Sequence, residues 1–318
     1  MFTLPELRQT ADLVHRYMPA TPQYAWPLLA QRLGCTVWVK HENHSPVGAF
    51  KLRGGLAYME KLSAEVAAGQ PLVTATRGNH GQSIAVASKM AGFPLTIVVP
   101  EGNSSEKNAA MQAQGATVVI RGRDVDEASQ EALRMSEEEG YLRVPSFHPD
   151  LVRGVATYAL ELFEHAGPLD TVYVPIGMGS GICGLIRTRD LLGLDTEIVG
   201  VVSEGADAYA QSMECGEIRT TEEANTFADG IACRKPDPVA FDMIHRGAAR
   251  VIRVSDDEIA EAMRLYHETT HNLAEGAGAA ALAGLLHERE RQQGQRVGVI
   301  LSGGNLDSEL YARVLMNR

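Results

Sequence analysis

Short apolar runs rich in valine and isoleucine alternate with longer stretches of helical period along the 318 residues. The runs predict strands at 36–40 (TVWVK), 71–76, 95–100, 117–122, 171–177, 197–204, 249–255 and 296–304. The intervening periodicity predicts helices at 50–69, 80–92, 104–114, 125–140, 151–166, 179–193, 256–270 and 275–292. Strands that are apolar throughout, rather than at alternate positions, belong to parallel sheets covered on both faces. The alternation of the two element types predicts an α/β fold. Segment 53–145 holds three of the strands, with room for a fourth, and reads as a small lobe inserted into a larger one built from 1–52 and 146–318. Residues 1–18, MFTLPELRQTADLVHRYM, read as a capped amphipathic helix rather than a leader, because no basic start precedes an apolar run.

Composition narrows the function. Hydrophobic residues make up 45% and charged residues 22%, a globular balance. The net charge of -11 leaves no basic surface for phosphates, so a nucleic-acid partner is not expected. No run approaches the roughly 18 apolar residues that span a bilayer, so no membrane partner is expected either. The four cysteines, Cys35, Cys183, Cys215 and Cys233, have neither CxxC nor zinc-ligand spacing. They read as reduced thiols of a cytoplasmic protein.

Chemistry gathers at the glycine-bearing turns. SPVGAFKLRGG, 45–55, carries Lys51 behind Phe50 at the start of a helix. A lysine there is either a surface charge or a nucleophile able to form a Schiff base. PIGMGSGICG, 175–184, follows a strand and opens a helix. Gly177, Gly179 and Gly181 let the backbone approach a ligand, and the N–H groups at the helix start face an anion. The turn lacks the Lys-Ser/Thr of a P-loop and the acidic ribose contact of a dinucleotide site, so a lone phosphate suits it better. TATRGNHGQS, 74–83, places Asn79 and His80 at another strand end. It is either a turn capped by Asn79 or a carboxylate-binding loop. ILSGGN, 300–305, puts Ser302 at the end of a late strand, where a hydroxyl can meet a ring nitrogen. An amine, a phosphate cradle, an amide and a hydroxyl are together what pyridoxal phosphate requires.

The ordered set GAFKLRG, RGNHGQ, GMGSG, AEGAG and SGGN resembles the fold-type II pyridoxal-phosphate enzymes, of the tryptophan synthase β-like fold, over nearly the whole chain. The nearest likeness is to the serine/threonine dehydratase and serine racemase branch. The resemblance implies two α/β lobes with mainly parallel sheets. It also implies a Schiff base between Lys51 and pyridoxal 5'-phosphate, with Phe50 against the ring and Asn79 on the ring hydroxyl. Gly177, Met178, Gly179, Ser180 and Gly181 would hold the phosphate. Ser302 would face the pyridine nitrogen, with Glu275 beside the cofactor. Thr76, Gly78 and His80 would line the substrate carboxylate site. The implied reaction is α,β-elimination from a small β-hydroxy amino acid such as threonine or serine, with freed Lys51 removing the Cα proton. The products are a 2-oxo acid and ammonia. A homodimer is the family expectation. The chain ends soon after SGGN, so a C-terminal regulatory domain is not expected.

Several positions depart from the family. Arg77 stands where the racemases carry serine, which argues against two-base racemisation. Its guanidinium either binds a second polar or anionic group of the substrate or turns away and pairs with an acid. A bulkier or more polar substrate, such as a hydroxyaspartate, phenylserine or an ectoine-derived compound, is therefore an alternative, as is an amino-acid racemase. Metal-binding relatives use an acidic pair near 201–210; Glu204 is present but the second acid is displaced, with Asp207 only nearby. No metal ligand is named on that basis. His41 and His44 read as structural. HETTH, 267–271, imitates the HExxH of zinc peptidases and gives a remote alternative.

Overall fold

The computed structural model describes residues 1–316. Ten strands form two sheets: β1 Gln23–Ala25, β2 Thr36–His41, β3 Leu72–Ala75, β4 Leu95–Val99, β5 Thr117–Ile120, β6 Leu142–Arg143, β7 Thr171–Pro175, β8 Glu197–Ser203, β9 Arg250–Val254 and β10 Arg296–Leu301. The larger sheet runs β1-β2-β10-β7-β8-β9 and the smaller β5-β4-β3-β6. Every pairing is parallel except the antiparallel edge of β1 on β2.

The apolar strands are apolar because both faces are covered. In the larger sheet Val172, Val174 and Ile300 pack with the helices Pro149–Ala166 and Ser180–Leu192. Tyr173, Val299 and Leu301 point the other way, into a core with the helices Asp256–Thr270 and Gly276–His287. The smaller sheet repeats the scheme. Leu72, Ile97 and Val99 pack with the helices Lys51–Glu65 and Asn79–Ala91, while Val73 and Val98 meet Ala128 and Ala132 of the helix Val125–Glu139. Burial of this apolar surface on both sides is the main stabilising term.

The fold class and the eight expected strands are present. The room left for a fourth small-lobe strand is taken by the two residues of β6. The edge strand β1 is an addition: three residues, of which only Gln23 is buried, carry no readable period. Strand ends moved where turns intervene. The run at 171–177 stops at Pro175, because Gly179 adopts φ +96°, a left-handed conformation that an L side chain rarely enters. The helix expected at 275–292 ends at His287. Thr3 caps the first helix, Leu4–His15, reciprocally with Glu6, as its sequence suggests. No described helix is long and apolar enough to cross a membrane.

Candidate active site

The carboxyl ends of β3, β7 and β10 open onto one cavity of about 160 Å³. All fourteen site residues named from the sequence line it: Phe50, Lys51, Thr76, Arg77, Gly78, Asn79, His80, Gly177, Met178, Gly179, Ser180, Gly181, Glu275 and Ser302. Parallel strands put their carboxyl ends on one side, so turns remote in sequence converge there.

Lys51 is the first residue of its helix, with Phe50 as the uncapped N-cap. Its Nζ donates to Ser180 Oγ at 3.1 Å and lies 4.9 Å from the centroid of the Phe50 ring. Burial lowers its amine to about 8. The surface-charge alternative is therefore wrong: the residue opens a helix, but the amine points into the cavity. Phe50 is held edge-on by Tyr158, whose hydroxyl donates to Gly181 O at 3.0 Å.

The glycine turn after β7 is a cradle. A Cβ on Gly177 would sit 2.3 Å from Gly230 O. Gly179 caps the helix Ser180–Leu192 with no side-chain hydrogen bond, which leaves the first-turn N–H groups for an anion. None of residues 177–181 is acidic. The turn after β3 is built the same way, with Gly78 as an N-cap that lacks a side-chain bond. Asn79 is therefore the first helical residue and not the cap. Its Nδ2 donates to Glu275 Oε1 at 2.6 Å, and its Oδ1 accepts from Asn305 Nδ2 at 2.9 Å. One amide hydrogen of Asn79 remains.

Two buried polar atoms here have no hydrogen-bond partner among the described residues: His80 Nε2 and Glu275 Oε2. Burial, assisted by the Lys51 charge, drops His80 to about 3, so its imidazole is neutral. Burial raises Glu275 to about 7 although the Lys107 ammonium opposes it. Lys107 Nζ lies 2.6 Å from Asp229 Oδ2 and 3.7 Å from Glu275 Oε2. Ser302 is buried, and its hydroxyl makes only a long contact, 3.4 Å, to Ala277 O. Amine, cradle and underused polar atoms fit pyridoxal phosphate: Lys51 for the aldehyde, the 177–181 turn for the phosphate, and Ser302 and Asn79 for the ring.

The sequence reading missed Lys107, Asp229, Tyr158 and Asn305. Asn305 was visible as the last letter of SGGN, whereas Lys107 and Asp229 lie in stretches without a recognisable turn signature. Other candidates lie elsewhere. His41 accepts from Trp26 Nε1 at 2.9 Å, and His44 pairs with Asn272 Oδ1 at 2.6 Å. HETTH is engaged otherwise than as a zinc motif: His271 is the C-cap at φ +54°, His267 Nδ1 meets the Tyr311 hydroxyl at 3.3 Å, and Glu268 pairs with Arg32 at 3.6 Å. Asp207, near Glu204, is engaged by Arg253 at 2.8 Å. Among the described residues no three His, Cys, Asp or Glu side chains are grouped to hold a metal.

A buried amine facing an uncapped, glycine-rich helix start between the two sheets is the arrangement that a phosphate-bearing carbonyl cofactor calls for. Residues 16–303 match the family model of pyridoxal-phosphate dependent enzymes, and the chain belongs to that family. It is 32% identical over 317 residues to the L-threo-3-hydroxyaspartate ammonia-lyase of Saccharomyces cerevisiae, covering 99% of this chain and 97% of that one. It is 30% identical over 316 residues to the L-threonine ammonia-lyase of Thermotoga maritima, covering 99% and 78%. The structure of maize serine racemase superposes with a TM-score of 0.91 at 26% identity, covering 99% of this chain and 97% of that one.

Proposed function

We propose that this chain is a pyridoxal-phosphate-dependent ammonia-lyase that removes water and then ammonia from a β-hydroxy α-amino acid, leaving a 2-oxo acid. The observation that carries the reading is the Lys51 amine, lowered by burial and aimed at Ser180 across the cavity. An amine near 8 is partly neutral at physiological pH and so can attach the cofactor. The bound cofactor withdraws electrons from the substrate's Cα and makes that proton removable. Lys51 Nζ, as a neutral amine, would take that proton. The hydroxyl leaves Cβ with a proton, as water, while the Cα–Cβ double bond forms, and the resulting enamine takes up one water to give the 2-oxo acid and ammonia.

The remaining residues orient and bind. The uncapped start of the helix Asn79–Ala91 receives the substrate's α-carboxylate, with Thr76, Gly78 and His80 around it. Glu275 and Asn305 fix Asn79, whose spare N–H serves the ring hydroxyl. Ser302, barely engaged, serves the pyridine nitrogen. Racemisation is the weaker reading, because Arg77 stands at the position where racemases carry serine, and a guanidinium is a hydrogen-bond donor with no acceptor for a proton. The same reading divides the chain into a large cofactor lobe, 1–52 plus 146–318, and a small lobe, 53–145. Every strand of the smaller sheet falls inside the latter. A cytoplasmic homodimer completes it. The two ammonia-lyase relatives are named for a dicarboxylic and a monocarboxylic substrate, and both substrates carry a β-hydroxyl.

The test is the absorption spectrum of the purified protein with pyridoxal phosphate, followed by assay of 2-oxo acid from L-threonine, L-serine and L-threo-3-hydroxyaspartate. A band at about 410–420 nm in the wild type, absent from Lys51→Ala, together with 2-oxo acid from one of the three, is the expected result. A protein that stays colourless with added cofactor overturns the reading.

A further inference from the structure

We propose that Arg77 binds a second carboxylate on the substrate, so that the site selects β-hydroxy amino acids with an acidic side chain. The proposal rests on the lyase reading above and names its substrate class. Arg77 sits between Thr76, at the end of β3, and Gly78, the N-cap of the next helix, and it lines the cavity with Lys51.

The charges of the cavity single it out. Its lining carries three cations, Lys51, Arg77 and Lys107, and two acids, Asp229 and Glu275. Both acids face Lys107. Lys51 must be a neutral amine to act as the base, so in that role it calls for no anion. Among the described residues Arg77 has no ion pair and no hydrogen bond, although acids outnumber bases 40 to 29 in the chain. It is half-buried, so water compensates it only in part.

An anion is therefore missing from the cavity, and the other anion positions are already assigned. A cofactor phosphate has the glycine turn after β7. The α-carboxylate has the uncapped helix start beside Arg77. What remains is a group on the substrate's β-carbon. A guanidinium presents its donors as a planar fork that matches a carboxylate in two parallel hydrogen bonds. The methyl of threonine or the hydrogen of serine would leave that fork unpartnered, which is how a polar site rejects a substrate lacking its polar group.

The experiment measures kcat/KM of the holoenzyme for L-threo-3-hydroxyaspartate and for L-threonine, in the wild type, Arg77→Met and Arg77→Lys. Bound-cofactor absorbance serves as the check on the pocket. The expected result is that the ratio of the two values falls by about 100-fold in Arg77→Met, or about 2.7 kcal/mol at 1.36 kcal/mol per tenfold. Arg77→Lys, which keeps the charge without the fork, should fall by less; it carries the test if the methionine variant loses its cofactor. A ratio that moves by less than about threefold in both variants overturns the proposal, since a transition-state contact must appear in kcat/KM. So does an equal loss on both substrates, which would place Arg77 on the common α-carboxylate. A wild type that acts on L-threonine or L-serine but not on L-threo-3-hydroxyaspartate overturns the proposal and leaves the lyase reading standing, whereas one that acts on none of the three overturns the lyase reading itself.

Discussion

Two clusters of buried charge hang from the first turn of one helix, one around Lys51 and one around Arg53. Residues two apart on a helix do not share a face, so the two side chains enter different surroundings. Arg53 is fully enclosed and fully partnered. Its Nε and Nη2 donate to the two oxygens of Glu42 at 2.8 and 3.0 Å, and Nη1 and Nη2 to those of Glu161 at 2.6 and 2.9 Å. Thr157 and Thr21 take further bonds, and Lys40, also buried, donates to Glu161 at 2.5 Å. Around Lys51 the opposite holds: His80 Nε2 and Glu275 Oε2 are orphaned, Ser302 is barely engaged and Arg77 has no ion pair among the described residues. Buried polar groups are normally satisfied. The complete cluster is frame, and the incomplete one keeps polar atoms with which a ligand can be bound.

The largest effect should come from breaking the complete cluster. Arg53→Met leaves Glu42 and Glu161 buried without their main partner. Breaking a buried pair by removing one member costs about 3–5 kcal/mol, because a charge is left uncompensated. Burial works against ionisation of Glu161, yet Arg53 and Lys40 hold it down at about 2. Urea denaturation of the cofactor-free protein measures the loss. A cost under about 1 kcal/mol would mean that the cluster behaves like surface charge and that completeness does not mark the frame.

A smaller, pH-dependent effect should come from Glu275→Gln in the cofactor-free protein. The folded pKa of Glu275, about 7, lies above its unfolded value of 4.5. The folded state therefore holds the proton more tightly. The penalty for the charged form is absent below pH 4.5, grows between 4.5 and 7, and is constant above. Glutamine keeps the acceptor for Asn79, and Lys107 keeps Asp229. The variant should gain stability relative to wild type across that window, reaching about 1–3 kcal/mol at a value of 1.36 per pKa unit. Unfolding midpoints at pH 4.5, 6 and 7.5 read it. A difference that is flat with pH would show Glu275 to be satisfied like the Arg53 acids.

This contrast explains what the sequence disclosed. Turn chemistry is local, so the five glycine-bearing motifs announced Lys51, Asn79, Gly177–Gly181, Glu275 and Ser302, and strand order brought them together. The central strands were legible because two-sided burial makes them continuous apolar runs, whereas β5 and β9, at the sheet edges, are only partly buried. Lys107 and Asp229 were hidden because a cross-cavity ion pair has no spacing in sequence. The Arg53 cluster was hidden for the same reason: its other members, Thr21, Lys40, Glu42, Thr157 and Glu161, come from three separate stretches of the chain, and each looks like an ordinary surface residue until burial is known. Arg77 was legible as an oddity, but its two alternatives needed coordinates. Among the described residues it pairs with no acid.

The smallest effect should come from the rim of the complete cluster. His15 pairs with Glu161 Oε1 at 2.8 Å, but its side chain is 37% exposed while that of Glu161 is 10% exposed. Glu161 keeps Arg53 and Lys40 when His15 is removed, and solvent replaces the ring. His15→Ala should therefore destabilise by under about 1 kcal/mol, as partly exposed pairs do. Steady-state turnover should not change, because no atom of His15 reaches the cavity. The double variant with Arg53→Met sharpens the point. With Arg53 gone, His15 becomes one of two remaining partners of Glu161, so its removal should cost more than in the wild type. A coupling of at least about 0.5 kcal/mol in that cycle is what interacting neighbours give. Strict additivity would mean that the rim does not belong to the cluster, and that the frame ends at the atoms water cannot reach.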